Sequence, residues 1–254
     1  MDMFTLSGRV AIVTGGNGGI GLGMAKGMAR CGATIAIAAR DPAKAADALA
    51  ELSALGARTA FIAADITRRE DCLRMVAETE AMFGRLDILV NNAGILLRDL
   101  PQDLTDEAWT QVIETNLSGA MRCCRAAYPA LLRAGGGKII NLGSMMSIFG
   151  SPMGAAYASS KGGIVQLTRA LATAWAKENI QVNAVLPGFI DSAITRTARE
   201  TIPGLTERIL ARTPAGRWGD PEDLAGIAAF LAGPASNFIT GTVTAVDGGY
   251  SVMM

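Results

Sequence analysis

Short apolar runs alternate with amphipathic stretches along the chain, and this alternation constrains the fold more than any other feature of the sequence. Such runs fit strands that are buried on both faces of a parallel sheet, and the stretches between them fit helices that cover it. The candidate strands are Val10–Thr14, Thr34–Ala39, Thr59–Ala63, Ile88–Asn91, Lys138–Leu142, Gln181–Leu186 and Val243–Val246. The pattern predicts an α/β fold, a doubly wound parallel sheet of about seven strands with helices on both faces.

Helix signals lie between the predicted strands. Asp41 is placed to cap the second helix, and Asp220 is placed to cap a later one. Thr105 opens a long helix that is expected to run towards Leu132, and a further helix carries Tyr157–Lys177. Helices in these places supply the crossover connections that parallel strands need.

The 254 residues fit one large domain, since no linker divides them. Residues 191–217 interrupt the alternation, because they are rich in Thr and Arg, contain Pro203 and Pro214, and follow the turn Pro187-Gly188. Long loops at the carboxyl ends of parallel strands bind ligands and form lids. We therefore expect either a substrate-binding lid within the single domain or an ordered surface excursion.

Charge and residue usage argue against several classes of function. Lys plus Arg and Asp plus Glu number 23 each, so the formal net charge is zero, and no basic patch indicates a nucleic acid or membrane partner. The chain has no His, and its four cysteines lack metal-ligand spacing, so we expect no metal site and no Ser–His–Asp triad. Reduced cysteines, and the lack of an apolar stretch in the first eight residues, favour a cytoplasmic protein.

Glycines crowd the turn between the first strand and the first helix, in the segment Thr14–Gly21. They let the backbone turn tightly and approach a pyrophosphate, whose charge is stabilised by the helix N-terminus. The spacing Gly15-x3-Gly19-x-Gly21 differs from the common G-x-G-x-x-G. In its strand–turn–helix context, this turn predicts dinucleotide binding on a Rossmann-type sheet.

A second motif is the pair Tyr157 and Lys161, with Ser144 upstream. Residues i and i+4 share one face of a helix, so the phenol and the ammonium can point into the same cavity. A nearby positive charge lowers the pKa of a phenol from its usual value of about 10 and makes it a usable proton donor or acceptor. Taken alone, the pair also fits a surface Tyr and a solvated Lys.

These two motifs belong to a longer series. The chain resembles the short-chain dehydrogenase/reductase family over its whole length, in motifs that follow in family order: Thr14–Gly21, Asp65-Ile66, Asn91–Gly94, Asn116, Ser144, Tyr157-x3-Lys161, Pro187-Gly188 and Gly241–Gly249. The resemblance implies an enzyme that interconverts a secondary alcohol and a ketone by hydride transfer with NAD(P). A nucleotide-sensing scaffold on the same fold is the non-enzymatic alternative.

The resemblance implies four catalytic residues. Tyr157 would be the general acid/base, and Lys161 would hold the nicotinamide ribose and depress the Tyr157 pKa. Ser144 would hydrogen-bond the reacting oxygen, and Asn116 would anchor a water that connects Lys161 to solvent. Hydride transfer itself would belong to the cofactor.

The resemblance also implies the residues that bind the cofactor. Asp65 would accept from the adenine amino group with Ile66 alongside the ring, and Asn91 and Gly94 would line the adenosine side. The full set is Thr14, Gly15, Asn17, Gly19, Ile20, Gly21, Arg40, Asp65, Ile66, Asn91, Ala93, Gly94, Tyr157, Lys161, Pro187, Gly188, Ile190 and Ser192.

The choice of nicotinamide cofactor depends on the end of the second strand. The family's acidic position, which would bind a ribose 2′-OH, falls on Ala39, and Arg40 follows, where it could accommodate a 2′-phosphate. Asp41 weakens this interpretation, as does Gly18, where some NADP-preferring relatives carry a basic residue. NADP(H) is the favoured cofactor and NAD(H) the alternative, and Arg40 could instead be a solvated loop residue.

The family positions around the substrate are mostly apolar here, which favours a hydrophobic or modest-sized ketone. Arg98 favours a sugar acid of the gluconate type, because it could pair with a carboxylate, although it also fits a surface arginine. A 3-ketoacyl thioester is the third substrate class. The predicted substrate residues are Leu96, Arg98, Met145, Met146, Met153 and Phe189.

Self-assembly is also expected. The helices after Thr105 and Tyr157 carry apolar faces beyond what one sheet face can bury, and members of the family pair through these helices. We therefore expect a homotetramer or a homodimer.

Overall fold

The computed structural model describes residues 3–254, apart from the side chains of residues 193, 194, 197 and 201. The first two residues, part of the segment in which no signal peptide is expected, lie outside this range. The described residues form one sheet of seven parallel strands in the order β3-β2-β1-β4-β5-β6-β7. The strands are β1 (Val10–Thr14), β2 (Thr34–Ala39), β3 (Thr59–Ala63), β4 (Ile88–Asn91), β5 (Gly137–Leu142), β6 (Ile180–Pro187) and β7 (Val243–Val246). The predicted Rossmann-type fold is confirmed, with β5 one residue longer at its start and β6 one residue longer at each end than predicted.

Helices cover both faces of this sheet. The helical residues Met28 and Leu231 belong to the core cluster on one face, and the helical residues Met75 and Leu131 belong to the cluster on the other. No helix in the described range is both long and apolar enough to span a membrane. The α-helices are α1 (Gly19–Arg30), α2 (Ala46–Ala54), α3 (Arg69–Phe83), α4 (Asp106–Ile113), α5 (Gly119–Arg133), α6 (Ala155–Trp175), α7 (Ala193–Thr201), α8 (Leu205–Ala211) and α9 (Ala225–Ala232).

The predicted helix caps are confirmed. Asp41 Oδ1 accepts from the Ala43 N–H at 3.0 Å, at a short 3₁₀ turn that leads into α2. Asp220 Oδ1 accepts from the Glu222 N–H at 2.8 Å ahead of α9. Thr105 accepts from the Ala108 N–H at 3.1 Å at the start of α4.

The long helix expected from Thr105 to Leu132 is interrupted. It consists of α4 and α5, which are joined by a π turn over Glu114–Ser118 that contains Asn116. At the break, the side-chain amide of Asn116 is bonded to the backbone of Ile95 on another segment. Single π turns of this kind occur mostly at functional sites.

The order of the strands reverses between β1 and β4, which are neighbours in the sheet. In doubly wound sheets, the crevice at the carboxyl ends of such strands binds ligands. Thr14 joins the two sides of this crevice: its Oγ1 donates to the Val90 carbonyl at 3.2 Å and accepts from the Asn92 and Ala93 N–H groups at 3.1 Å each. One hydroxyl therefore fixes the loop after β4 beside the glycine-rich turn.

Residues 191–217 form an excursion that contains α7 and α8. At its base, the Asp191 N–H donates to the Gly219 carbonyl at 2.8 Å. Farther along, the Arg212 guanidinium lies 4.8 Å from the ring centroid of Phe149 and 4.5 Å from that of Tyr250. These contacts fit a lid in one position as well as a fixed excursion, so movement of the segment stays a prediction.

Candidate active site

A cavity of about 480 Å³ opens at the carboxyl ends of the strands, at the reversal point of the sheet. The motifs are scattered along the sequence, yet they meet around this one space. The predicted residues that line it are Gly15, Asn17, Gly19, Ile20, Arg40, Asp65, Ile66, Ala93, Gly94, Tyr157, Lys161, Pro187 and Ser192.

Three other predicted cofactor residues lie behind the wall of the cavity. Thr14 is buried beneath the cavity wall. Gly21 faces the Asn92 side chain: a Cβ added to Gly21 would lie 2.4 Å from Asn92 Nδ2. The Asn91 side chain points into the core, where its Nδ2 donates to Asn141 Oδ1 at 2.8 Å. This corrects the expectation that Asn91 lines the adenosine side: the residue that follows it, Asn92, lines the cavity instead.

The glycine-rich turn fits a dinucleotide pyrophosphate. Gly15 and Gly19 have φ values of 64° and 51°, a region that favours glycine. Gly18 caps α1 without a side chain, and the first turn of α1 contains no acidic residue, so its free N–H groups are open to an anion. Asn92 Nδ2 fixes the turn by donating to the Thr14 and Gly15 carbonyls at 3.0 Å each.

Lys161 is buried, and its Nζ donates to the Leu142 carbonyl at 2.7 Å. The same Nζ lies 5.7 Å from the centroid of the Tyr157 ring, so the two side chains share the cavity as predicted from their spacing. Burial lowers the pKa of Lys161 to about 8, which leaves most of the ammonium charged at neutral pH.

The pKa of Tyr157 is raised above its usual value, mainly because the phenol is buried. A hydrogen bond with the Ser144 side chain and the positive charge of Arg98 act in the opposite direction. The pKa of Tyr157 thus lies above the lowered value that the resemblance implies, because burial outweighs the opposing effects of Ser144 and Arg98. The phenol is therefore held protonated at neutral pH. The effect of Lys161 on this pKa stays a prediction.

Ser144 lies just after β5, where it caps a 3₁₀ turn over Met145–Ser147. Its Oγ accepts from the Met146 N–H at 3.2 Å, and Ser147 Oγ accepts from the Ser144 N–H at 3.1 Å. This reciprocal capping fixes the Ser144 hydroxyl beside the Tyr157 phenol. The Ser144 side chain is hydrogen-bonded to the Tyr157 phenol, and its contact with the reacting oxygen stays a prediction.

Asn116 is buried in the π turn between α4 and α5. Its Oδ1 accepts from the Ile95 N–H at 2.8 Å, and its Nδ2 donates to the Ile95 carbonyl at 2.9 Å and to Ser160 Oγ at 3.1 Å. A Cβ on Gly94 would lie 3.1 Å from Asn116 Oδ1 and 3.7 Å from Lys161 Nζ, so glycine at this position keeps the space between them open. The proposed water between Asn116 and Lys161 stays a prediction.

The predicted substrate residues differ in exposure. Arg98 and Met153 are exposed, Leu96 and Met146 are partly buried, and Met145 is buried. Met145 packs against Val165 and Leu186 in a small core cluster, so it shapes the site from behind.

Phe189 lies beside a second cavity of about 220 Å³, which Gly188 and Ile190 also line. These residues thus lie next to the main cavity and do not form its wall. The Phe189 ring meets the Trp218 and Tyr250 rings at centroid distances of 5.8 and 4.9 Å. This aromatic contact connects the end of β6 to Trp218, the residue that follows the 191–217 excursion, and to Tyr250.

Several residues of the cavity wall carry chemistry that the motifs did not indicate. At the adenosine end, Lys44 lines the cavity together with Arg40 and Asp41. Thr115, on the π turn, lines the cavity as well. Lys44 lies in the 3₁₀ turn that follows Arg40, and no motif in the sequence indicates it. Asp65 uses Oδ1 within its own loop, accepting from the Thr67 N–H and hydroxyl at 2.9 and 2.7 Å.

Comparison with known proteins agrees with this geometry. The sequence profile described as enoyl-(acyl carrier protein) reductase matches residues 15–251. The chain is 38% identical to the 2-dehydro-3-deoxy-D-gluconate 5-dehydrogenase of Escherichia coli and 42% identical to the galactitol 2-dehydrogenase (L-tagatose-forming) of Cereibacter sphaeroides, over 98% of both chains in each case.

A solved structure matches the whole chain at a similar level of sequence identity. The gluconate 5-dehydrogenase of Burkholderia cenocepacia, in complex with NADP and tartrate, has a TM-score of 0.94 at 36% identity, covering 100% of this chain and 99% of that one. The predicted resemblance is confirmed along with the fold. The chain belongs to the short-chain dehydrogenase/reductase family and is an NAD(P)-dependent oxidoreductase that acts on CH–OH groups.

Proposed function

We propose that the protein interconverts a hydroxyl and a ketone on a sugar acid with NADP(H), and that Arg98 binds the substrate carboxylate. The observation that carries this proposal is that Arg98 is exposed just after the loop that lines the cavity, near enough to Tyr157 for its positive charge to lower the pKa of the phenol. A carboxylate paired with Arg98 would therefore lie within the length of a small sugar from the proton donor. The relatives named for gluconate substrates, and the one solved with tartrate, support an acidic substrate.

The residues around the reacting carbon have distinct roles in this proposal. The bound nicotinamide supplies or accepts the hydride. The Tyr157 phenol gives its proton to the ketone oxygen in the reductive direction and takes it back from the hydroxyl in the oxidative direction. Ser144 Oγ holds that oxygen, and Lys161 holds the ribose next to it. The Tyr157 phenol is protonated at neutral pH, as a proton donor to a ketone oxygen must be.

The cofactor preference rests on the adenosine end of the cavity. Arg40 and Lys44 both line it, and Ala39 has no carboxylate with which to bind a ribose 2′-OH. Two cations suit a 2′-phosphate. We therefore assign NADP(H) as the preferred cofactor, with NAD(H) as the weaker one.

The test compares a sugar acid with a neutral polyol on wild type, Arg98→Ala and Arg98→Lys. Loss of the Arg98 charge should raise KM for the 5-keto sugar acid on the order of tenfold or more, because one charged hydrogen bond is lost, whereas Arg98→Lys should retain part of the affinity. Activity towards galactitol, which has no carboxylate, should not change. An unchanged KM for the sugar acid in Arg98→Ala would contradict the proposal.

A polyol dehydrogenase is the second candidate, because the Cereibacter sphaeroides relative is a galactitol 2-dehydrogenase. The same experiment separates the two functions. A higher kcat/KM for galactitol than for any sugar acid, with no effect of Arg98→Ala, would favour the polyol.

We also propose that the protein is cytoplasmic, that it assembles as a homotetramer or homodimer, and that residues 191–217 act as a lid. Assembly is supported by Trp109 on α4 and Leu132 on α5, each 41% exposed on the helices expected to pair. The cytoplasmic assignment is supported by Cys72, Cys123 and Cys124, which are buried free thiols. The lid is supported by Ser192, which lines the cavity at the start of the excursion.

A further inference from the structure

Ser160 connects two of the predicted catalytic residues. Its side chain is fully buried, and its Oγ accepts from Asn116 Nδ2 at 3.1 Å and donates to the Tyr157 carbonyl at 2.7 Å. The hydroxyl thereby fixes the π turn against the first turn of α6. Ser160 does not line the cavity, so it acts through its two partners.

Ser147 connects the other two in the same way. Its Oγ accepts from the Ser144 N–H at 3.1 Å and donates to the Lys161 carbonyl at 2.8 Å. The hydroxyl thereby fixes the 3₁₀ turn after β5 against the second turn of α6. Ser147 is likewise absent from the cavity wall.

These connections lie where local structure gives little support. Helix α6 starts after Gly154, which offers no side-chain cap, so the first turn that carries Tyr157 is held weakly by the helix itself. Ser144 and Asn116 lie on a 3₁₀ turn and a π turn, which are irregular segments. A displacement of about 1 Å among reacting groups can cost on the order of 100-fold in rate.

We propose that Ser147 and Ser160 are positioning residues of the reaction, which hold Ser144 and Asn116 in register with Tyr157 and Lys161. This rests on the proposed catalytic roles of those four residues. Removing either hydroxyl should lower kcat and leave the cofactor site nearly intact, because the cavity wall itself is unchanged.

The chain contains a matched control for an ordinary buried serine. Ser236 is also fully buried; its hydroxyl proton lies between the Leu231 and Gly233 carbonyls, each 3.0 Å from Oγ, and Oγ accepts from Lys138 Nζ at 3.3 Å. Its burial and bonding resemble those of Ser160, but none of its partners belongs to the cavity. Ser236→Ala therefore measures what the loss of such a hydroxyl does to stability alone.

The experiment measures kcat, the Kd of NADPH and the unfolding temperature of the full chain, with a substrate that the wild type turns over. Ser147→Ala and Ser160→Ala should lower kcat about tenfold or more with little change in the Kd of NADPH. Ser147→Thr, which keeps the hydroxyl, should recover most of the lost kcat. Ser236→Ala should keep the wild-type kcat even if its unfolding temperature falls. A wild-type kcat in both alanine variants, or an equal loss in Ser236→Ala, would overturn the proposal.

Two further variants keep the result decisive. If Ser160→Ala does not fold, Ser160→Cys fills nearly the same space with a weak donor and should show the kcat loss; a wild-type kcat in Ser160→Cys would overturn the role of Ser160. Tyr157→Phe distinguishes the proposed catalytic roles from the proposed positioning roles. Turnover by Tyr157→Phe would refute the catalytic set and the positioning role together. An inactive Tyr157→Phe with serine variants that behave like Ser236→Ala would refute the positioning role alone.

Discussion

Arg40 and Lys44 present two cations at the adenosine end of the cavity. Asp41 lies beside them: its Oδ1 accepts from the Ala43 and Lys44 N–H groups, and its Oδ2 lies 3.9 Å from Lys44 Nζ. We predict that Arg40→Ala and Lys44→Ala each raise KM for NADPH on the order of tenfold, through loss of a charged contact with the 2′-phosphate. KM for NADH should stay nearly constant, because NADH has no such phosphate.

Lys177→Ala is the control for these substitutions, since Lys177 is an exposed cation that does not line the cavity. It should leave both KM values unchanged. Steady-state kinetics with NADPH and NADH supplies the comparison. An unchanged ratio of kcat/KM for the two cofactors in Arg40→Ala and Lys44→Ala would remove the basis for the NADP(H) assignment.

At the level of single residues, the motifs located most of the cavity wall but not every side-chain direction. Neighbouring residues at the end of a strand face opposite ways, so Asn91 turns into the core while Asn92 meets the glycine-rich turn. The raised pKa of Tyr157 could not be predicted from the sequence either, because burial depends on tertiary packing and not on the spacing of Tyr157 and Lys161. Lys44 had no motif to indicate it.

At the level of elements, α1 packs closely against the segment that leads into α9. A Cβ on Gly27 would lie 2.2 Å from the Ala225 carbonyl oxygen, and a Cβ on Gly23 would lie 2.0 Å from that of Pro221. We predict that Gly27→Ala destabilises the protein by roughly 1–3 kcal/mol, because the helices must move apart. Urea unfolding monitored by circular dichroism measures the change.

Gly226→Ala on α9 is the matched control. A Cβ at this position meets nothing within 4 Å, and alanine favours the helix by up to about 1 kcal/mol over glycine. Gly226→Ala should therefore be as stable as wild type or more stable. Equal stability of Gly27→Ala and wild type would show that α1 does not depend on this close approach.

Local sequence patterns explain which helices and strands could be predicted. The strands were located almost to the residue, because apolar runs between turn signals mark a parallel sheet clearly. The break between α4 and α5 could not be predicted, since helix signals continue on both sides of it. The break coincides with the hydrogen bonds of Asn116 to Ile95, a contact between segments that no local pattern contains.

At the level of the whole molecule, exposed apolar surface predicts an assembly. Trp109 and Leu132 expose apolar surface on α4 and α5, which are proposed to pair together with α6. Light scattering at micromolar concentration should give a mass of two or four times the 26.3 kDa of one chain. A mass of one chain under these conditions would contradict self-assembly.

The most direct test of the account is the turnover of Tyr157→Phe, followed by nicotinamide absorbance with NADPH and the sugar acid that wild type reduces. The substitution removes only the hydroxyl that is proposed to move the proton. We predict a loss of kcat on the order of 100- to 10,000-fold, while the Kd of NADPH measured by fluorescence titration stays nearly unchanged. A kcat for Tyr157→Phe close to that of wild type would contradict the central claim that this phenol is the proton donor and acceptor.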